Sequence, residues 1–233
     1  MMIPTVVEYI WIGGNNELRS KVRILYLPSN KLPGLDEIPY WNYDGSSTNQ
    51  AESSKSDIII KPRAIFGNGR YVICDAYTCD DEPVFNNTRY TANNIFNQKL
   101  EEEPWFGLEQ EYFLIDPKSN LPLGFEGATS QGQYYCSVGC ENAYGRKIVE
   151  EHMYECLNIG VKLSGINAEV APGQWEFQVG PCMGIEAGDN LLMARFMLHR
   201  IGEKHGVIIN CDPKPLQGNW NGSGCHTNYS TKK

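Results

Sequence analysis

No stretch of this sequence clusters lysine and arginine, no apolar run reaches the length of a bilayer span, and no two cysteines form a CxxC pair. Each absence excludes a class. Nucleic-acid surfaces need concentrated positive charge, whereas this chain sets 20 Lys+Arg against 28 Asp+Glu for a formal net charge of -8. A membrane-spanning helix needs about 20 consecutive apolar residues. The opening Met1-Met2-Ile3-Pro4 has neither the basic start nor the apolar centre of a secretion signal. The 8 cysteines, at 74, 79, 136, 140, 156, 182, 211 and 225, lack the spacing of a secreted disulfide framework. They read as reduced thiols of a cytoplasmic protein, and Cys136 with Cys140 would form at most half of a zinc site.

What remains is a chain rich enough in core-forming residues, at 41% hydrophobic, to fold as one large or two modest domains. Its most informative stretch runs from Trp105 to Ile115. Read as a strand, it turns Glu109 and Glu111 to one face and Leu108, Tyr112 and Leu114 to the other. Two carboxylates side by side in an apolar run call for a compensating cation or for solvent, and this stretch alone leaves both open.

Residues 5–12 and 21–27 are rich in β-branched and aromatic residues around a Gly13-Gly14-Asn15-Asn16 turn, which predicts a hairpin. Short strands are expected at 57–61, closed by Pro62, and at 71–75 after the Gly67-Asn68-Gly69 turn. A small β-rich domain over 1–83 is expected, followed by a larger one over 84–233. Helices are expected from a Thr88 cap to about Glu102, from Glu141 to Asn158, and from an Asp189 cap to His205 with Gly206 at its stop. Strands alternating with amphipathic helices make the second part α/β or α+β. Residues 41–48, with two aromatics, Asp44 and three hydroxyl residues, read as a polar loop.

Polar residues recur in later strand-like segments: Asn167 with Glu169, then Glu176 with Gln178, backed by Trp175, Phe177 and Val179. A Gly- and Asn-rich stretch, 218–228, then carries His226. Four glutamates and a histidine form a hard, oxygen-rich set suited to two ions of Mg²⁺ or Mn²⁺, and such sites commonly share a nucleotide phosphate. His152, His199 and His205 fall on helices and read as packing or surface residues.

The motifs Trp41-Asn42-Tyr43-Asp44-Gly45-Ser46-Ser47-Thr48, Gly107-Leu108-Glu109-Gln110-Glu111-Tyr112, Tyr134-Tyr135-Cys136, Ala143-Tyr144-Gly145-Arg146, Asn167-Ala168-Glu169-Val170, Gln174 to Pro181 and Gly218 to Asn228 resemble, in order, the glutamine synthetase family of the eukaryotic (class II) type. The resemblance implies an α+β fold, with a small β-grasp-like N-terminal domain and a catalytic domain, here incomplete, whose antiparallel strands line a funnel beside packed helices. It implies glutamate–ammonia ligase activity with glutamate, ammonium and ATP, through a γ-glutamyl phosphate, in a homo-oligomer whose active site is shared between neighbouring subunits. Metal ligands implied are Glu111, Glu169 and Glu176 for one ion and Glu109 with His226 for the second. ATP-contacting positions implied are Trp105, Glu109, Glu176, Phe177, Gln178, Val179, Gly180, Pro181, Asn228, Tyr229 and Ser230. Glutamate would meet Glu109, Asn219, Trp220, Asn221 and Gly222, and the ammonium site would use Asp44, Ser47, Tyr135 and Glu169.

The family's chain continues beyond the point matching Lys233, with arginines and a further metal-binding glutamate. The resemblance therefore implies a chain truncated at its C-terminus. Loss of such arginines costs on the order of several powers of ten in phosphoryl-transfer rate, so little activity is expected of these residues alone. A non-catalytic relative that binds metal or nucleotide, or partners longer subunits, is the alternative expectation.

Overall fold

The computed structural model describes residues 1–28 and 32–232. Two compact units result, Met1–Lys99 and Leu100–Lys233. Among the described residues no helix is long and apolar enough to cross a membrane.

In the first unit, β1 (Met2–Ile12) and β2 (Leu18–Pro28) pair antiparallel across the Gly13–Asn16 turn, as the sequence predicts. With β3 (Trp41–Asp44), β4 (Asp57–Phe66) and β5 (Tyr71–Thr78) they form a five-stranded sheet in the order β2-β1-β5-β4-β3. The β1–β5 contact is parallel and central, and its neighbours are antiparallel. Alternation puts Val7, Tyr9, Trp11, Ile58, Ile60 and Val72 into one core. Pro62 does not end β4, contrary to expectation: the ladder shifts register between Pro62 and Ala64 and runs on to Phe66. Residues 41–48 are not a plain loop either, since β3 leads into a 3-10 turn over Gly45–Thr48. The unit closes with α1 (Thr88–Phe96), whose N-cap is Asn87 rather than Thr88, its side chain accepting from the Tyr90 N–H. The helix does not reach Glu102; residues Leu100–Glu102 form a separate 3-10 turn.

The second unit is built on β6 (Trp105–Asp116). One flank carries β9 (Gln174–Met183) and then β8 (Leu163–Ala168); β10 (Ile208–Asn210) and β11 (Cys225–Ser230) also pair with β6, as does the short β7 (Leu121–Pro122). All these pairings are antiparallel. Leu108, Tyr112, Trp175, Phe177 and Val179 are buried, and α2 (Arg146–Asn158) and α3 (Ile185–His205) pack with each other and against this sheet. The α2 helix starts at Arg146, after the left-handed Gly145, rather than at Glu141. The α3 helix begins a turn before Asp189, which is buried in its interior instead of capping it, while Gly206 ends it in the left-handed conformation.

His152 on α2 is fully buried with its ring edge-on to Phe177, and its Nε2 lies 2.9 Å from the Ala194 carbonyl and 3.2 Å from Cys156 Sγ. Its Nδ1 meets no partner. Burial depresses its pKa from 6.5 to about 4. Stability gained from keeping this imidazole neutral is therefore complete above pH 6.5 and lost as pH falls through about 4. The thermal midpoint should fall across that window, and His152→Leu should flatten the fall; an unaltered pH profile in the variant would contradict this.

Candidate metal and nucleotide site

The pairing of β8, β9 and β11 around β6 gathers polar residues on the face opposite the helices. Glu111 lies across from Glu176, Glu109 across from Gln178, and Asn167 across from Glu176. Residues directly opposite in an antiparallel ladder share a face, so this arrangement turns scattered sequence positions into one surface. Glu169 joins them where β8 ends and the chain turns back, its N–H donating to the Gln174 carbonyl at 2.9 Å.

Carboxylate oxygens of Glu111, Glu169 and Glu176 all lie within 4.8 Å of one another. Glu169 and Glu176 are buried and Glu111 is half-buried. Hydrogen bonds hold them: Asn167 Nδ2 donates to Glu169 at 3.0 Å, Gln178 Nε2 to Glu176 at 2.8 Å, and the Gly224 N–H to Glu111 at 2.7 Å. Burial, then the charge of Glu111, raises the pKa of Glu169; burial, with Glu109 and Glu111 adding to it, raises that of Glu176. Among the described residues no lysine or arginine pairs with any of the three. Converging, hydrogen-bonded oxygens with uncompensated charge are the donor set that a hard divalent cation takes.

Glu109 and His226 stand opposite each other in the β6–β11 ladder, and Glu109 also accepts from Asn228 Nδ2 at 2.8 Å. They are brought together, but as two residues rather than a three-ligand group.

Beside them opens a cleft of about 410 Å³. Trp105, Glu109, Gln178, Val179, Gly180, Pro181, Asn228, Tyr229 and Ser230 line it. Of the positions expected to contact ATP, Glu176 belongs instead to the carboxylate cluster, and the Phe177 side chain is fully buried on the far face against Tyr112 and His152. Phe106, Gly107, Leu108 and Ser164 also line the cleft, beyond the positions the resemblance implies. Ser164 enters because β8 shifts register between Leu163 and Gly165, an irregularity marked in the sequence only by the glycine inside the strand.

The 219–222 stretch is anchored at the other end of these strands from the cleft, where Gln174 lies across from Phe113. Asn221 donates through its N–H to Gln131 at 2.8 Å and through Nδ2 to Gln174 at 3.2 Å, and Gln174 Nε2 donates to the Gly222 carbonyl at 2.8 Å. Trp220 packs on Phe125 at 4.8 Å between ring centres, and both lean on the buried Phe113, Ile115, Ala171 and Leu216. Asn219 accepts from Gln131 through its carbonyl. Tyr135 is exposed, and Cys136 and then Glu169 raise its hydroxyl pKa. In the first unit, Asp44 is exposed and accepts from Ser46 N–H at 3.0 Å, Ser46 Oγ at 2.6 Å and Ser47 Oγ at 3.2 Å. The Ser46 bonds lower its pKa, so it is an ionised carboxylate at neutral pH.

A family model described as the glutamine synthetase catalytic domain matches residues 87–233. This chain belongs to the glutamine synthetase family. It is 54% identical to a chloroplastic glutamine synthetase of Brassica napus, 52% to glutamine synthetase PR-1 of Phaseolus vulgaris and 51% to a cytosolic isozyme of Pinus sylvestris, with 97% of this chain covered in each case. The aligned region spans 55%, 66% and 66% of those relatives. Solved structures of GmaS, one an ADP complex and one without ligand, superpose with TM-scores of 0.72 and 0.75 at 18% identity. They cover 97% of this chain and 53% and 54% of their own, and at that identity they bear on the fold alone.

The raised pKa values of Glu169 and Glu176 fix a sign. The stabilisation linked to these groups is complete below the ordinary glutamate pKa and is lost as pH rises through the folded values, so at neutral pH the metal-free cluster works against folding. Glu169→Gln should raise the thermal midpoint of the metal-free protein at pH 7 and shrink the further rise produced by Mn²⁺. A lower midpoint without metal would contradict this account of the cluster.

Proposed function

We propose that this chain carries the metal- and nucleotide-binding half of a glutamate–ammonia ligase, which makes glutamine from glutamate, ammonium and ATP through a γ-glutamyl phosphate. The observation that carries the reading is the convergence of Glu111, Glu169 and Glu176 beside the cleft that Trp105, Pro181 and Ser230 line. The activity is proposed of the whole protein, since the chain spans only part of its relatives' length.

In this reading Glu111, Glu169 and Glu176 hold one Mg²⁺ or Mn²⁺ ion, and Glu109 with His226 contributes to a second. Bound divalent ions would neutralise charge on the phosphoryl group moving from ATP to the glutamate side chain, which otherwise lacks a leaving group. Trp105, Gln178, Val179, Gly180, Pro181, Asn228, Tyr229 and Ser230 receive the nucleotide. The 219–222 stretch, stiffened by its bonds to Gln131 and Gln174, receives glutamate with Glu109.

Asp44 is proposed to accept the proton of ammonium, with Ser47, in a site completed by Tyr135 and Glu169 of a neighbouring subunit in a homo-oligomer. An acceptor must be ionised, and the lowered pKa of Asp44 supports that role. The compartment proposed is the cytosol, supported by eight free cysteines and by the cytosolic Pinus relative.

Removal of the acceptor tests the assignment. Asp44→Asn in the whole protein should lower kcat for glutamine formation by about 10²- to 10⁴-fold, while nucleotide affinity stays within twofold, roughly. An unchanged kcat would remove Asp44 from the reaction.

A further inference from the structure

Two side-chain amides tie the buried glutamates into one network. Gln178 Nε2 donates one hydrogen to Glu176 Oε1 at 2.8 Å and the other to Asn167 Oδ1 at 3.4 Å, and Asn167 Nδ2 donates in turn to Glu169 Oε1 at 3.0 Å. The chain therefore begins and ends on carboxylates and contains no ionisable group. Gln178 also lines the cleft, and among the described residues no donor reaches its Oε1.

The neutrality of this bridge has a chemical consequence. A lysine or arginine in its place would also orient the glutamates, but it would cancel the charge that attracts a cation; an acid would add repulsion. Carboxamides orient both acids while leaving the cluster anionic.

Gly165 supplies an independent sign that the carboxamide is accommodated on purpose. It lies opposite Gln178 across the β8–β9 ladder, and a Cβ there would stand 2.5 Å from Gln178 Oε1. Its φ is not in the left-handed region, so the backbone does not require glycine at this position. The missing side chain makes room for the amide.

We propose that Asn167 and Gln178 are positioning residues that aim Glu169 and Glu176 at a shared cation and link that cation to the occupancy of the cleft. This rests on the metal-binding reading above. Gln178 has one free acceptor and two committed donors, so a nucleotide that donates to Oε1 polarises the amide and firms its grip on Glu176. Linkage then requires the cation to tighten nucleotide binding by the same factor. Adenosine isolates this route, because it has no phosphate to touch the metal directly.

The test is Mn²⁺ titration calorimetry on the purified chain, with and without saturating adenosine, for the wild type, Gln178→Met, Asn167→Leu, the double variant and Gly165→Ala. Each single variant should bind Mn²⁺ about 10- to 100-fold more weakly. The double variant should be no weaker than the weaker single, because the amides act as one bridge. Gly165→Ala removes no hydrogen-bonding atom and should still fall in the same range, which covers the case in which the amide variants unfold. Adenosine should tighten Mn²⁺ binding to the wild type and leave Gln178→Met unaffected. Wild-type affinity in all variants would overturn the bridge and leave the metal reading standing. Additive losses in the double variant would overturn its action as a unit, and equal adenosine effects in wild type and Gln178→Met would overturn the link to the cleft. Absence of Mn²⁺ binding to the wild type would overturn the metal reading itself.

Discussion

Mutual repulsion among Glu111, Glu169 and Glu176 is the constraint around which the second unit is arranged. Acids whose oxygens lie within 4.8 Å of one another resist being ionised together, more so when burial removes water from two of them. The fold nevertheless invests its longest strand and both flanks of that strand in holding them there. On the far face, Tyr112, Trp175 and Phe177 pack under α2 and α3, so the glutamates cannot rotate away without dragging core residues with them. Rigidity on one face thus enforces charge density on the other.

That density is shaped rather than relieved. Hydrogen bonds to the cluster come from amides and from the backbone N–H groups of Val170 and Gly224, none of which carries charge. In the first unit a buried acid is paired conventionally: Asp75 meets Arg63 at 3.1 Å and Arg89 at 3.6 Å. One chain therefore neutralises an acid in one unit and leaves three acids without a paired cation beside the cleft in the other. Asp44 follows a third pattern, its charge stabilised by hydroxyl and N–H donors of its own turn, which keeps it available to a partner group.

The alternation that puts Glu109 and Glu111 on one face, and the core residues on the other, was legible from residue types alone because strand periodicity is strict. Which strands lie beside them was not. That Glu111 faces Glu176 depends on antiparallel register across β6 and β9, and no local signal encodes a pairing between residues so distant in the chain. Helix ends misled where more than one residue could serve as a cap: Asn87 and Thr88 both have suitable side chains, and Asp189 sits a turn inside α3 because the helix starts after Gly184. Phe177 carried an expected nucleotide contact by resemblance, whereas its place between two glutamate-face residues sends its side chain inward. Ser164 carries no such signal, because only the irregular β8 register brings it to the cleft.

Crystals of the protein soaked in Mn²⁺ test whether Glu111, Glu169 and Glu176 form a cation site beside the cleft. Anomalous diffraction at the manganese edge should place a peak about 2.2 Å from oxygens of Glu111, Glu169 and Glu176 together, in keeping with hard-cation distances. Manganese bound elsewhere while these three oxygens remain bare would contradict the account.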